Sequence, residues 1–230
     1  MKFKSQVVTQ ASGSFGGITA SRNAGGMYFR ARAIPTNPSS TYQVEVRNAM
    51  NQAVQRWSQD LSDAQRSAWG IYAFNTPVTN ALGDQIKLSG FNMYVRSNVA
   101  RLQAGLSPVD SAPTIYNLGS MGPVALAGVD ASDNEAEFTF NNTYGWAAVT
   151  GGALLVAISR PQSQTINFFK GPYRLAGVIL GNTGSPPTSP AVVTLPFPVS
   201  AGQKVFAQVR ATLADGRLTA PVRFFQLASA

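Results

Sequence analysis

The chain has 230 residues and a net charge of +8, and it contains neither cysteine nor histidine. This length suits one large domain or two small ones, and it is enough to bury a core. Without these two residue types, disulfides, ordinary zinc sites and serine–histidine or cysteine–histidine nucleophiles are excluded. Carboxylate, lysine and tyrosine chemistry remain, as do metals bound by oxygen. Charged residues make up only 12% of the chain. This low share predicts either a surface that meets other proteins or a β-rich domain with a neutral polar surface.

Neither a membrane span nor an export signal is evident in the sequence. No run of about 18 apolar residues occurs, and the first residues are followed by polar ones. We therefore expect a protein without a membrane partner that stays where it is made or leaves by a route needing no signal.

Residues 1–42 are predicted to be an extended basic docking arm. Glycines separate short β-like pieces at 6–9 and 27–34, and Pro35 and Pro38 end the second piece. Too few large apolar residues recur periodically for a separate core, so we expect the arm to become ordered by pairing with something else. Six cations against one carboxylate give this stretch and its border a net charge of +5: Lys2, Lys4, Arg22, Arg30, Arg32 and Arg47 against Glu45.

Three interpretations of this arm stay open. It docks on an acidic protein surface by strand addition, it binds nucleic acid through arginines and aromatic rings, or it is a basic edge strand on its own domain. Docking is preferred over nucleic acid because the charges are few and spread out, whereas phosphate-binding tails carry dense blocks. The candidate contact residues are Arg22, Tyr28, Phe29, Arg30 and Arg32.

Residues 43–106 are predicted to form a helical base of about three helices. Ser62 and Gln65 form a capping box that opens the second helix. Ser89 caps the third helix, and Gly105 ends it. Trp57, Trp69 and Phe91 are the expected anchors of a small core. The first helix has an apolar stripe of Val46, Met50, Ala53, Val54 and Trp57.

Residues 107–113, with two prolines, are predicted to be a linker, and from 114 to 230 the pattern changes to a period of two. About six or seven strands with Gly, Pro and Asn turns between them favour an antiparallel β-sandwich of immunoglobulin or fibronectin type III character. Asp215-Gly216 indicates a hairpin between the last two strands. The predicted fold class is therefore α+β, with an extended N-terminal arm, a short helical region and this C-terminal sandwich.

Other motifs are weighed against simpler explanations. Residues 13–17 lack the lysine and the helix of a phosphate loop. The acidic cluster at 130–137 lacks the glycine and final glutamate of a calcium loop, so a solvated turn is preferred. Aromatic residues at strand spacing are expected in the core, with Trp146 as the best exposed candidate for a glycan platform. We expect no catalytic residue, no metal site and no cofactor.

Several blocks resemble a poorly characterised group of structural proteins of tailed bacteriophages and prophages. They are residues 21–32 (SRNAGGMYFRAR), 35–38 (PTNP), 61–69 (LSDAQRSAW), 88–94 (LSGFNMY), 172–174 (PYR) and 214–217 (ADGR). The resemblance implies a virion protein assembled in the host cytoplasm, and it transfers no catalytic residues.

This resemblance and the residue patterns together predict a non-enzymatic cement or decoration protein of the capsid. The expected partners are the major capsid protein or other virion subunits, with a trimer or dimer of the chain itself. A head–tail connector or tail protein, a DNA-binding internal protein and a glycan-binding adhesin remain alternatives.

Overall fold

A computed structural model of the chain describes residues 11–23, 26–80 and 82–230. The chain divides into two compact units, one ending at Thr41 and the other starting at Tyr42. The predicted β-piece at 6–9 and the two lysines before it lie outside the described residues. No helix in the described ranges combines the length and hydropathy that a membrane crossing needs.

The first unit contains a three-stranded antiparallel meander in place of an extended arm. Its strands are β1 (Gly13–Phe15), β2 (Ile18–Asn23) and β3 (Gly26–Ala31), in the order β1-β2-β3. Gly16 turns the chain between β1 and β2 with a φ of 54°, a conformation that costs glycine little. The segment therefore pairs with itself, and residues 32–40 follow it without a regular element.

Three helices open the second unit, as predicted: α1 (Thr41–Gln59), α2 (Asp63–Asn75) and α3 (Gly90–Gln103). The capping box is confirmed, because the Ser62 hydroxyl accepts from the Gln65 N–H and the Gln65 side chain accepts from the Ser62 N–H. Ser89 caps α3. A two-stranded hairpin, β4 (Val78–Thr79) and β5 (Gln85–Ile86), lies between α2 and α3.

The predicted apolar stripe of α1 is wrong in part. The residues of α1 that are buried are Ala49 and Ala53, whereas Met50 and Val54 are 46% and 37% exposed. The two alanines face the rest of the unit because small side chains allow a close approach. Met50 and Val54 lie beside this buried face, where the described elements cover them only in part.

Helices α2 and α3 meet at two glycines. A Cβ atom built on Gly90 would lie 2.7 Å from the backbone nitrogen of Gly70 and 2.9 Å from its Cα atom. The first turn of α3 thus packs directly against the backbone of α2, which a larger residue at 90 would prevent.

Seven strands follow: β6 (Val124–Asp130), β7 (Glu135–Phe140), β8 (Ala153–Ile158), β9 (Arg174–Leu180), β10 (Ala191–Thr194), β11 (Lys204–Thr212) and β12 (Val222–Leu227). They form two antiparallel sheets, with orders β10-β7-β6 and β12-β11-β8-β9. Seven strands agree with the six or seven expected from the sequence. In β6 the alanines and Gly128 weaken the alternation, and a register shift interrupts its pairing with β7 between Leu126 and Gly128. The α+β class is confirmed.

The largest core lies between the two sheets. Alternate residues of β7, such as Ala136 and Phe138, meet Val156 of β8 and Val209 of β11 in one buried cluster. A smaller cluster joins the other face of the four-stranded sheet to α3 through Ala100, Leu155 and Leu218, among others. The second unit therefore buries apolar surface on both faces of this sheet.

Candidate docking surface and the helical brace

The meander has one apolar and one polar face, because residues that pair directly across strands project to the same side. Its registers place Phe15 opposite Ile18 and Ala20 opposite Phe29, which defines the apolar face. Phe15 and Phe29 meet edge to face, with ring centroids 6.2 Å apart. Phe15 is 60% exposed and Ile18 is 43% exposed. The first unit therefore presents large apolar side chains to solvent.

The predicted contact residues are divided between the two faces. Tyr28 and Arg30 pair with Ser21 and Thr19 on the polar face, whereas Phe29 belongs to the apolar one. Arg22 pairs with Met27 and so projects from the apolar face.

Arg32 follows β3, and its N–H donates to the Gly17 carbonyl oxygen at 2.8 Å. The side chains of Arg22, Arg30 and Arg32 are all exposed. Residues 11–41 contain these three arginines, no lysine and no acidic residue, which gives a net charge of +3 (three minus zero).

The three predicted anchors of the helical base come together around Tyr94. The Trp57 ring lies 5.7 Å from Phe91 and 5.3 Å from Tyr94, and the Trp69 ring lies 5.4 Å from Tyr94. Trp69 and Tyr94 are fully buried, while Trp57 and Phe91 are half-buried. The Trp57–Phe91 and Trp69–Tyr94 contacts are edge to face, and such contacts add to the energy of area burial.

The predicted linker at 107–113 forms hydrogen bonds with this aromatic cluster and with Arg56. Both carboxylate oxygens of Asp110 accept from Arg56, at 2.6 Å from Nε and 2.7 Å from Nη2. The Asp110 carbonyl oxygen accepts from Trp69 Nε1 at 2.8 Å, and the Tyr94 hydroxyl lies 3.4 Å from its carboxylate. The segment is thus part of the helical base, and we name the contacts of Arg56, Trp69 and Tyr94 with Asp110 the helical brace.

The charge pair of the brace changes the acidity of its members. The hydrogen bond from Arg56 lowers the pKa of Asp110 below its ordinary value, against the opposing effect of partial burial. Burial raises the pKa of Tyr94, and the nearby Asp110 charge raises it further. Asp110 is therefore ionised and Tyr94 neutral at physiological pH.

Two side chains of α3 also bind the segment 107–113 and residues beside the ends of β8 and β11. Asn98 accepts from the Val109 N–H at 2.7 Å and donates to the Val109 carbonyl oxygen at 3.2 Å. Arg101 is buried, and its Nη1 donates to the carbonyl oxygens of Gly151 at 2.9 Å and Leu213 at 2.7 Å. A buried guanidinium is tolerated where carbonyl oxygens satisfy its N–H groups.

Trp146 was predicted to be the best exposed platform for a glycan, and this prediction is wrong. Its side chain is fully buried, and Nε1 donates to the Met121 carbonyl oxygen at 2.8 Å. The ring packs 5.1 Å from that of Phe140 inside the main core. Its local sequence resembles a turn, but tertiary packing covers it.

The acidic cluster at 130–137 includes a turn that Asp130 stabilises. Its carboxylate accepts from the Ser132 N–H and hydroxyl at 2.7 and 2.6 Å, and these bonds lower the pKa of Asp130. Asp133, Glu135 and Glu137 border a shallow cavity of about 260 Å³ beside this turn. No group of three potential metal-binding side chains occurs within the described ranges.

Comparison with known protein families, with curated proteins and with solved structures yields no match to this chain.

Arg56, Tyr94, Asp110 and Arg101 were missing from the predicted site. Asp110 stands 54 residues from Arg56, and nothing in the local sequence of either residue indicates their pairing. The sequence could have indicated Tyr94, because this residue belongs to the apolar side of α3 and the segment that follows the helix contains Asp110. Nothing in the sequence indicated the role of Arg101, because arginine is rarely found on the buried side of a helix.

Proposed function

We propose that this chain is a non-enzymatic structural assembly protein that docks through its N-terminal meander on an acidic, partly apolar surface of another subunit. One observation carries the proposal: the first unit exposes Phe15 and Ile18 and carries three exposed arginines, with no carboxylate among residues 11–41. A unit of about 40 residues rarely buries enough surface to be stable alone. The second unit has its own buried clusters. The meander therefore has exposed apolar surface that binding to a partner would bury.

The setting that we propose is the virion of a tailed bacteriophage, with the chain as a cement or decoration protein of the capsid. The sequence blocks at 21–32, 61–69 and 88–94 support this setting by their resemblance to phage structural proteins. Symmetric junctions of a capsid lattice favour a trimer or dimer of the chain. Its partner would be the major capsid protein or another virion subunit.

For residues 114–230 we propose a fibronectin type III-like sandwich. The strand orders β10-β7-β6 and β12-β11-β8-β9 support it, since three strands oppose four and β10 returns to the sheet of β7. With no cysteine in the chain, the core relies on packing alone, as around Trp146.

Binding of the purified chain to particles that lack it tests the docking proposal. Phe15→Ser and Ile18→Ser remove apolar side chains from the exposed face, so we expect both to weaken binding strongly. Ser14→Ala and Thr19→Ser, on the polar face of the same strands, are the matched controls and should bind like the parent chain.

Charge is tested by Arg22→Gln, Arg30→Gln and Arg32→Gln together. We expect weaker binding and a smaller dependence on salt, because exposed charges act through screened attraction. Unchanged binding by both the apolar and the charge variants would sink the docking proposal. The number of copies per particle then separates a capsid protein, with hundreds, from a connector, with about a dozen or fewer.

A further inference from the structure

Two arginines from different elements meet where α3 packs against the four-stranded sheet. Arg96 lies on α3, one turn before Ala100, and Arg210 lies on β11. Ala100 is buried in one cluster with Leu155, and Leu155 is the register partner of Arg210 in the sheet. The cationic side chains thus share an apolar junction.

Neither arginine has a counter-ion in the described part of the chain. Arg96 Nη2 donates weakly to the Thr219 carbonyl oxygen at 3.3 Å. Arg96 Nη1 and Arg210 Nε are buried and find no hydrogen-bond partner. Other arginines are matched differently: Arg56 has a carboxylate at 2.6 Å, and Arg101 has three carbonyl oxygens.

The surroundings of Arg96 and Arg210 disfavour their positive charges. Burial lowers the pKa of both arginines, and the charge of Arg210 helps to lower that of Arg96 to about 10. Both groups still carry their charge at neutral pH, so two partly dehydrated positive charges interact without a carboxylate partner in the described part of the chain. Such an arrangement is costly unless an opposite charge is supplied.

One hydroxyl group lies on the same side of the sheet as Arg210. Thr212 is two residues further on in β11, and its side-chain oxygen is buried and has no hydrogen-bond partner in the described part of the chain. The junction therefore holds unused donors from Arg96, Arg210 and Thr212.

We infer that Arg96 and Arg210 together bind one oxyanion of the phosphate or carboxylate class. Two planar guanidinium groups match the oxygen spacing of such an anion better than that of a single-atom ion. Both side chains keep part of their surface in solvent, so the anion reaches them from outside. The site is independent of the proposed docking by the meander, which lies in the other unit.

Calorimetric titration of the full chain with inorganic phosphate, and separately with acetate, tests the site against a chloride background of equal ionic strength. We expect saturable binding of one anion per chain. Arg96→Gln or Arg210→Gln should weaken it about tenfold or more, as for the loss of a charged hydrogen bond. Arg96→Lys keeps the charge but loses the planar fork, so binding should again fall.

Arg223→Gln is the matched control, because Arg223 is an exposed arginine of β12 in the same sheet. It should bind phosphate like the parent chain. Tighter binding of phosphate than acetate identifies free or esterified phosphate as the ligand, and the reverse identifies a carboxylate from another chain. Absence of saturable binding by either anion, or equal binding by the Arg96, Arg210 and Arg223 variants, overturns the assignment.

Discussion

The contact between α2 and α3 allows a quantitative test, because one methyl group at Gly90 has no room. The added carbon of Gly90→Ala would lie 2.7 Å from the Gly70 nitrogen and 3.1 Å from the Trp69 carbonyl carbon. Ordinary contact begins at 3.4 Å, so the helices would separate by about 0.7 Å (3.4 minus 2.7). Backbone atoms cannot rotate away, and overpacking of this kind costs about 1–3 kcal/mol.

Gly70→Ala is the matched control for this prediction. Its added carbon meets nothing within 4 Å and its φ lies outside the left-handed region, so the substitution should be neutral or stabilise α2 by up to about 1 kcal/mol. Thermal unfolding followed by tryptophan fluorescence reports on Trp69 at the contact. We expect the midpoint of Gly90→Ala to fall by about 2–4 °C per kcal/mol. A Gly90→Ala chain as stable as Gly70→Ala would refute the close approach of the helices.

Three further predictions concern the brace, the core and a turn. Asp110→Asn should lower the free energy of unfolding by about 1–2 kcal/mol at neutral pH. The folded pKa of Asp110 lies below its unfolded value, which is near 3.9. The stability that ionised Asp110 contributes is therefore present above the unfolded pKa and is lost as the pH falls through the lower folded pKa. Free energies of unfolding measured in urea for parent and variant should therefore become equal only in that acidic range. Trp146→Ala should destabilise the chain by about 3–5 kcal/mol in the same assay, and a cost under 1 kcal/mol would contradict its burial. Gly216→Ala should lower the unfolding midpoint because Gly216 has a φ of 91°, and Gly202→Ala, with a φ of 80°, should cost about as much, since the carbon added at Gly216 meets only ordinary contacts from 3.4 Å at Val109.

The features that the sequence predicted depend on neighbours in the chain. The capping box of Ser62 and Gln65 is one such feature, because both partners lie within one helical turn. The period of two expected for residues 114–230 is another, and β7 (Glu135–Phe140) shows it, because every second residue of this strand is buried. In both cases the physical cause acts over a few residues, so a local pattern contains the necessary information.

The features that were missed depend on distant partners or on burial. The first segment was expected to be extended because it lacks a core, yet Gly16 lets it fold back and satisfy its own backbone hydrogen bonds. Trp146 was expected near the surface from its turn-like neighbours. Its burial requires Phe140 and Met121, whose approach no local pattern indicates.

The helical brace has a role in the proposed assembly that follows from chain connectivity. Residue 41 ends the first unit and begins α1, so the chain passes from the meander into the second unit through that helix. The inner surface of α1 is small, since its buried residues are two alanines, and apolar contact alone holds it weakly. The two short bonds from Arg56 to Asp110 and the tilted ring contact of Trp57 with Tyr94 add directional contacts near its C-terminal end. For the docking proposed here, the consequence is that the helix following the meander is tied at its C-terminal end to residues 107–113 of the second unit.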